Sequence, residues 1–293
     1  MYSPIKHLLV VLIGFVAFSV NVQAELSLRY FQLDSRYIYR IQLLELALGK
    51  TEAEYGPFQL YPVQKLVTQA RGLSLLEKNI GVDVAFLPTS VEREQRLLPI
   101  KIPILRGILG YRVLLVHEDL QPRFNKVTSL DQLKKGFVGG FGAHWADMAI
   151  LQANGLKVVG ITQYENLFKM LSYKRFDYFP RGINVAWKEV ELKGDLYKGI
   201  KVEETLALYY PYLVYFFVSR SRPAIAARIE KGLKLALADG SFERLFKKHH
   251  KYLVQQAGLE SRRLFLMKNP TLPAGTVLPD TSWWLKNTGQ FLN

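Results

Sequence analysis

The 293-residue chain contains no cysteine. That absence excludes a disulfide framework, a cysteine nucleophile and thiolate metal sites. Long apolar runs are scarce beyond the first two dozen residues. The most apolar later stretch, Tyr209–Val218, is too short to cross a bilayer and is interrupted by Pro211. Acids are in deficit, with 25 Asp and Glu against 39 Lys and Arg, a net charge of +14. Hydrophobic residues make up 49% and charged residues 22%, ordinary globular values that exclude collagen-like and low-complexity chains. No Gly-x-Ser-x-Gly elbow and no Walker ending is present. His249 and His250 are adjacent, so on a helix they point about 100° apart and cannot chelate as an i,i+4 pair. No metal and no cofactor is expected.

The first 24 residues read as a signal peptide. Lys6 supplies the positive start, Leu8 to Phe18 is an uncharged apolar run, and Val22-Gln23-Ala24 places small residues at the −3 and −1 positions of a cleavage site. The mature chain is then expected to begin at Glu25 and to work in the periplasm. A basic protein in that compartment meets anionic solutes and surfaces, so nucleic acid is not an expected partner.

The mature chain alternates strand and helix patterns. Leu26–Gln32 is β-rich, Tyr37–Gly49 carries apolar residues at helical spacing, and Val82–Leu87 reads as a strand. The grammar repeats in the middle third, where a strand at Phe137-Val138 leads through a glycine-rich turn into a helix at Ala146–Asn154. The aromatic strand Tyr212–Ser219 and two helices, 224–238 and 241–256, follow. This is the α/β grammar of mostly parallel sheets flanked by helices. Two such units, with the strands Tyr111–Val116 and Tyr212–Ser219 flanking the second, predict two lobes joined by two crossover strands. The expected division is lobe 1 from 25–114 and 214–293, including a C-terminal tail, and lobe 2 from 115–213. Ligand would bind in the cleft at the carboxyl ends of the strands.

Four segments resemble the type 2 periplasmic binding proteins, in particular the solute-binding family 3 group that carries polar amino acids. Thr89-Ser90-Val91-Glu92-Arg93, followed by Pro103 and Gly110-Tyr111-Arg112-Val113, is similar to the family's T-x-x-R stretch and the strand after it. Thr128-Ser129-Leu130-Asp131-Gln132-Leu133 is similar to its opening of lobe 2. Leu171-Ser172-Tyr173-Lys174-Arg175-Phe176-Asp177 is similar to L-x-x-G-R-x-D, and Leu237-Ala238-Asp239-Gly240 to its late helix break.

The resemblance implies a non-enzymatic solute-binding protein, acting as a monomer, that closes on a small ligand and hands it to an ABC-type permease or to a membrane sensor. A dehydratase-like enzyme on the same fold is the other reading, with Asp147 as the one cleft carboxylate available to it. The resemblance also nominates site residues. Arg93 would pair with a ligand carboxylate, with Thr89 and Ser90 completing the cradle. Gly142, His144 and Trp145 lie in the turn that opens a lobe 2 helix, where backbone N–H groups favour anions. Tyr37, in the turn after the first strand, would stack on ligand. Where amino-acid binders carry an acid for the ligand ammonium, this chain reads Tyr178-Phe179-Pro180-Arg181-Gly182. With Arg181 there and no acid, the expected ligand is anionic, or neutral with an acidic group.

Overall fold

The computed structural model describes residues 25–65 and 67–280. The expected signal peptide, residues 1–24, lies outside the described residues, as does the tail's Trp283-Trp284. In the first lobe, chain order gives β1 (Leu26–Tyr30), α1 (Ile38–Gly49), α2 (Glu52–Tyr55), β2 (Phe58–Pro62), α3 (Gln69–Glu77), β3 (Ala85–Pro88), α4 (Val91–Arg96) and β4 (Leu98–Ile100). After a crossing come β5 (Tyr111–His117), α5 (Gln121–Asn125), α6 (Leu130–Gly136), β6 (Gly139–Gly142), α7 (Met148–Ala153), β7 (Val158–Ile161), α8 (Tyr164–Ser172), β8 (Tyr178–Gly182), α9 (Ala186–Lys193), β9 (Ile200–Val202) and β10 (Leu206–Tyr209). The chain returns through β11 (Val214–Val218), α10 (Pro223–Ala238) and α11 (Ser241–Ala257), and ends in β12 (Arg263–Leu266).

β1 and β2 pair in parallel, and β11 lies antiparallel between β3 and β4. A side chain joins these two ladders. Gln32 donates to the Phe86 carbonyl at 2.7 Å and accepts from the Phe86 amide at 3.1 Å, copying a backbone pair. Phe86 therefore turns both of its backbone polar groups toward β1. The second sheet runs β12-β10-β5-β8-β6-β7, with β9 also on β5. The first crossing to the seven-stranded sheet lies between β4 and β5, the second, at Tyr210–Leu213, leads back, and the chain reaches that sheet again at β12.

Three expectations change. The strand expected at Phe137-Val138 forms at Gly139–Gly142, so the glycines belong to the strand and not to a turn. A Cβ at Gly139, Gly140 or Gly142 would meet the ring of Tyr178, Phe176 or Trp145 at 2.9, 2.3 and 2.3 Å. Aromatic packing against the strand explains the run. The helix expected at Ala146–Asn154 is shorter, Met148–Ala153. Finally, residues 214–293 do not stay with the first sheet, because β12 pairs with β10 in the second.

From β12 the tail recrosses the junction. Asn154, at the end of α7, exchanges two hydrogen bonds with the backbone of Lys268. Asn269 donates to the Pro211 carbonyl at 2.8 Å, and the Val91 amide donates to the Thr271 carbonyl at 3.1 Å. The tail thus touches α7, the second crossing and the start of α4 in turn.

Helices α1 and α10 approach so closely that a Cβ at Gly232 would stand 1.8 Å from the Ala47 carbonyl oxygen. Gly232→Ala is expected to destabilise by at least the ~1–3 kcal/mol of an overpacked core, read as a lower urea midpoint. Beside that contact, His250 is 7% exposed, with Nδ1 3.0 Å from the Phe246 carbonyl and the Tyr39 ring at 4.5 Å. The carbonyl can only accept, so the neutral ring carries its proton on Nδ1. Burial pushes the His250 pKa down to about 4 from 6.5. Below pH 6.5 the unfolded chain binds a proton that the folded chain refuses. Stability should therefore fall between about pH 6.5 and 4 and level off below, by roughly 3 kcal/mol. Denaturation curves of His250→Phe, an apolar ring for an aromatic site, should lack that increment of acid loss.

Candidate functional site

The two crossings bring Arg112, Tyr210 and Tyr212 together. Arg112 opens β5 and is 8% exposed. Its Nε donates to the Tyr210 hydroxyl at 2.8 Å, and its Nη2 donates to Asp147 Oδ2 at 2.7 Å. The Tyr210 hydroxyl in turn donates to the same Asp147 oxygen at 2.7 Å. The guanidinium also lies over the Tyr210 and Tyr212 rings, at 5.4 and 5.5 Å. Burial pulls the Arg112 pKa down, but Tyr210, Asp147 and Tyr212 more than offset it and hold it above the ordinary value. Asp147 precedes α7, yet its carboxylate makes no cap hydrogen bond. That carboxylate is committed to the ion pair with Arg112 instead.

Tyr212 lies on the second crossing. Burial raises its pKa first, and the charges acting on its hydroxyl are Asp147 and Arg112 from one side and Arg93 and Arg40 from the other. Around this residue the sequence-nominated positions can be placed one by one.

Arg93 donates from Nη1 to the Pro88 carbonyl at 2.6 Å, and no carboxylate lies within ion-pair distance of it among the described residues. Thr89 and Ser90 are near, but the expected cradle is already occupied. The Thr89 hydroxyl donates to Glu94 at 2.6 Å and its amide to the Leu213 carbonyl. Ser90 Oγ accepts from the Arg93 amide at 3.2 Å, which makes it the N-cap of α4. The Val91 amide is taken by Thr271. Of the two acids that flank Arg93 in sequence, Glu94 pairs with Lys101 at 2.7 Å and Glu92 with Arg96 at 3.1 Å.

The second-lobe nominations gather in a different place. Arg181 forms a bidentate pair with Glu189, and its guanidinium lies 4.9 Å from the ring centre of Trp145. Both members of that pair are mostly buried. Its charge is cancelled within the lobe, so Arg181 does not supply the anion-binding cation expected of it. Trp145 stacks on Phe179 at 6.0 Å and covers Gly142. His144 is exposed in the turn after β6. With α7 only six residues long and Asp147 at its head, this turn is not the anion-directed helix start expected from the sequence.

Tyr37 is half-buried. Its ring packs on Phe86 at 5.6 Å and lies over the guanidinium of Arg40 at 4.8 Å. Sequence reasoning missed Arg40. It sits in α1 on the stripe of Leu43, Leu44 and Ala47, where a core residue belongs, and it is 9% exposed. Nη1 donates to the Phe86 carbonyl at 3.2 Å, while Nε is buried without a hydrogen bond. Burial lowers its pKa to about 10. The signal was present in the sequence as a charge within an apolar stripe, and Arg112 within the apolar strand Tyr111–Val116 is another case.

Two surface recesses complete the picture. One, about 440 Å³, is lined by Glu94, Lys101, Arg220 and Glu230 on the outer side of the first lobe and touches none of the nominated residues. The other, about 190 Å³, runs between α9 and α11 and includes Asn184, beside Arg112. The chemistry points to the Tyr212 neighbourhood, where unmatched charge collects, and not to the larger recess. Among the described residues no cluster of three metal-ligating side chains occurs.

Removing the acid of the junction exposes its role. Asp147→Ala leaves Arg112 buried without an anion and is expected to cost about 3–5 kcal/mol in urea denaturation. Asp147→Asn, which keeps an acceptor for Tyr210, should cost less.

No protein-family model and no curated protein matches the sequence. Solved structures do match the fold. An ancestral arginine-binding protein bound to arginine superposes with a TM-score of 0.51 at 17% identity, covering 78% of this chain and 99% of that one. An amino acid ABC transporter substrate-binding protein from Streptococcus pneumoniae, bound to L-arginine, gives 0.53 at 11% identity, covering 77% and 93%. The periplasmic VFT2 domain of Bordetella pertussis BvgS gives 0.52 at 15%, again covering 77% and 93%. With its β1-β2 pair, its β3-β11-β4 sheet with the antiparallel return strand and its seven-stranded sheet, the chain has the two-lobed α/β fold of the periplasmic binding proteins.

Proposed function

We propose that this chain is a periplasmic solute-binding protein whose lobes close on a small acidic ligand for delivery to an ABC-type permease. The observation that carries the ligand's sign is Arg93, a lobe 1 cation beside Tyr212 whose hydrogen-bond partner is a backbone carbonyl and not an acid. A guanidinium in such a place offers its remaining N–H groups as a planar fork that fits a carboxylate. The absence of an acid at Tyr178–Gly182 supports the same sign, because a ligand ammonium would find no counter-charge there. The solved structures of the same fold include proteins that bind amino acids, one of them an ABC substrate-binding protein, which supports the binding and delivery role. Against catalysis stands the state of Asp147. It is 6% exposed and committed to Arg112 and Tyr210, so it is not available as an acid or base to a ligand. Export rests on the Lys6, apolar run and Val22-Gln23-Ala24 pattern. Among the described residues no helix is long and apolar enough to cross a membrane.

Calorimetry on the mature chain, residues 25–293, tests the reading. Organic acids are expected to bind, and Arg93→Ala is expected to weaken them by at least ~2 kcal/mol, the scale of a charge-assisted hydrogen bond. Micromolar binding of lysine, arginine or histidine, unchanged by Arg93→Ala, would show that both the site and the sign are wrong.

A further inference from the structure

Two guanidiniums collect at one edge of β3. Phe86 faces its N–H and C=O toward β1, as its exchange with Gln32 shows. Pro88, two residues on, faces the same way, because alternate residues of a strand share an edge. The Phe86 carbonyl holds Arg40 and the Pro88 carbonyl holds Arg93. Carbonyls two residues apart on a strand are on the order of 7 Å apart. No acid lies within ion-pair distance of either arginine among the described residues.

This differs from the other arginines around the junction. Arg112 has Asp147 and Arg181 has Glu189. Arg228 also lacks an acid within ion-pair distance. Its three donor nitrogens, however, are spent on Thr51 Oγ1 and the carbonyls of Tyr55 and Gly56 at the end of α2. Arg40 has one hydrogen bond and a buried Nε with none. A buried cation so poorly met is costly, and evolutionarily cheap replacements such as Met would relieve it. The hydroxyl of Tyr212, which reaches the same space, has no hydrogen-bond partner among the described residues.

We infer that Arg40 and Arg93 form a paired-cation site and that the ligand is a dianion with two separated acidic groups, an aliphatic dicarboxylate in kind. One group would dock on Arg93 and the other on Nη2 of Arg40, the nitrogen left open when Nη1 is held by Phe86 and Nε is buried, with Tyr37 covering the face of that guanidinium. A monoanion would leave one cation unmet. A zwitterionic amino acid would add an ammonium to a site that already has an excess of positive charge. The spacing of the two carbonyl anchors favours two acid groups over one compact phosphate. This inference rests on the acidic-ligand reading above and adds the second charge to it.

The test uses the mature chain, with α,ω-dicarboxylates from malonate to adipate, and with valerate, glutamate and inorganic phosphate as separate arms. At least one dicarboxylate should bind 30-fold or more tightly than valerate. Arg40→Met should weaken that dicarboxylate at least tenfold, change valerate less than twofold, and leave the melting temperature of the ligand-free protein unchanged or higher. A residue with a purely structural role would lower that melting temperature and would not separate the two acids. Should Arg40→Met fail to fold, the wild-type comparison decides alone. Valerate binding as tightly as every dicarboxylate overturns the second charge but leaves an acidic ligand standing. Glutamate or phosphate binding more tightly than every dicarboxylate overturns the two-group dianion. Binding of none of these acids takes down both readings.

Discussion

A buried guanidinium needs an anion or a full set of acceptors, and Arg112 meets that need by pulling three elements to one point. It lies on β5, just past the first crossing. Tyr210 lies on the second crossing, and Asp147 stands at the head of α7. Three hydrogen bonds of 2.7–2.8 Å close the triangle. The triangle thereby ties both crossings to the second sheet at the point where they meet it. Even Gly182 answers to it, since a Cβ there would approach Arg112 Nη1 to 3.1 Å and Asn184 Oδ1 to 2.4 Å.

From this junction the rest of the site follows. With Asp147 spent on Arg112, the second lobe presents no free acid to Tyr212 among the described residues. With Arg181 spent on Glu189, it presents no free cation from β8 either. What remains is the first-lobe edge, where the strand carbonyls of β3 hold Arg40 and Arg93 without cancelling their charge. Backbone carbonyls carry only partial charges, so they orient a guanidinium while leaving most of its attraction for an incoming anion.

Much of the fold was legible in the sequence, because periodicity reports burial directly. The stripe of α1, the apolar strand Tyr111–Val116 and the glycine break at Gly240 between α10 and α11 each gave the right element. Among the elements that escaped are short strands: β9, β10 and β12 span three to four residues each, too few for a period to show. The run Gly139-Gly140-Phe141-Gly142 misled for a different reason. Glycine there makes room for Phe176, Tyr178 and Trp145, which come from other elements, and composition alone cannot distinguish that from a turn. Arg93 stood in a motif, but whether Thr89, Ser90 and Arg181 were free depended on Glu94, the α4 cap and Glu189. For Arg181 that partner lies eight residues away in sequence.

Arg40 shows why charge bookkeeping needs the structure. In sequence it is one of 39 basic residues, on a helix whose exposed face could carry it without consequence. In the fold it points inward from the first turns of α1, beneath Tyr37 and against the end of β3, where solvent cannot serve its Nε. An apolar residue on that stripe would satisfy the core at least as well, since replacing a buried charge by a packed side chain is often neutral or stabilising. Stability therefore does not account for an arginine at this position. The same side chain makes sense as half of a two-cation edge, because the desolvation that costs the ligand-free protein also strengthens the attraction felt by an anion entering from the cleft.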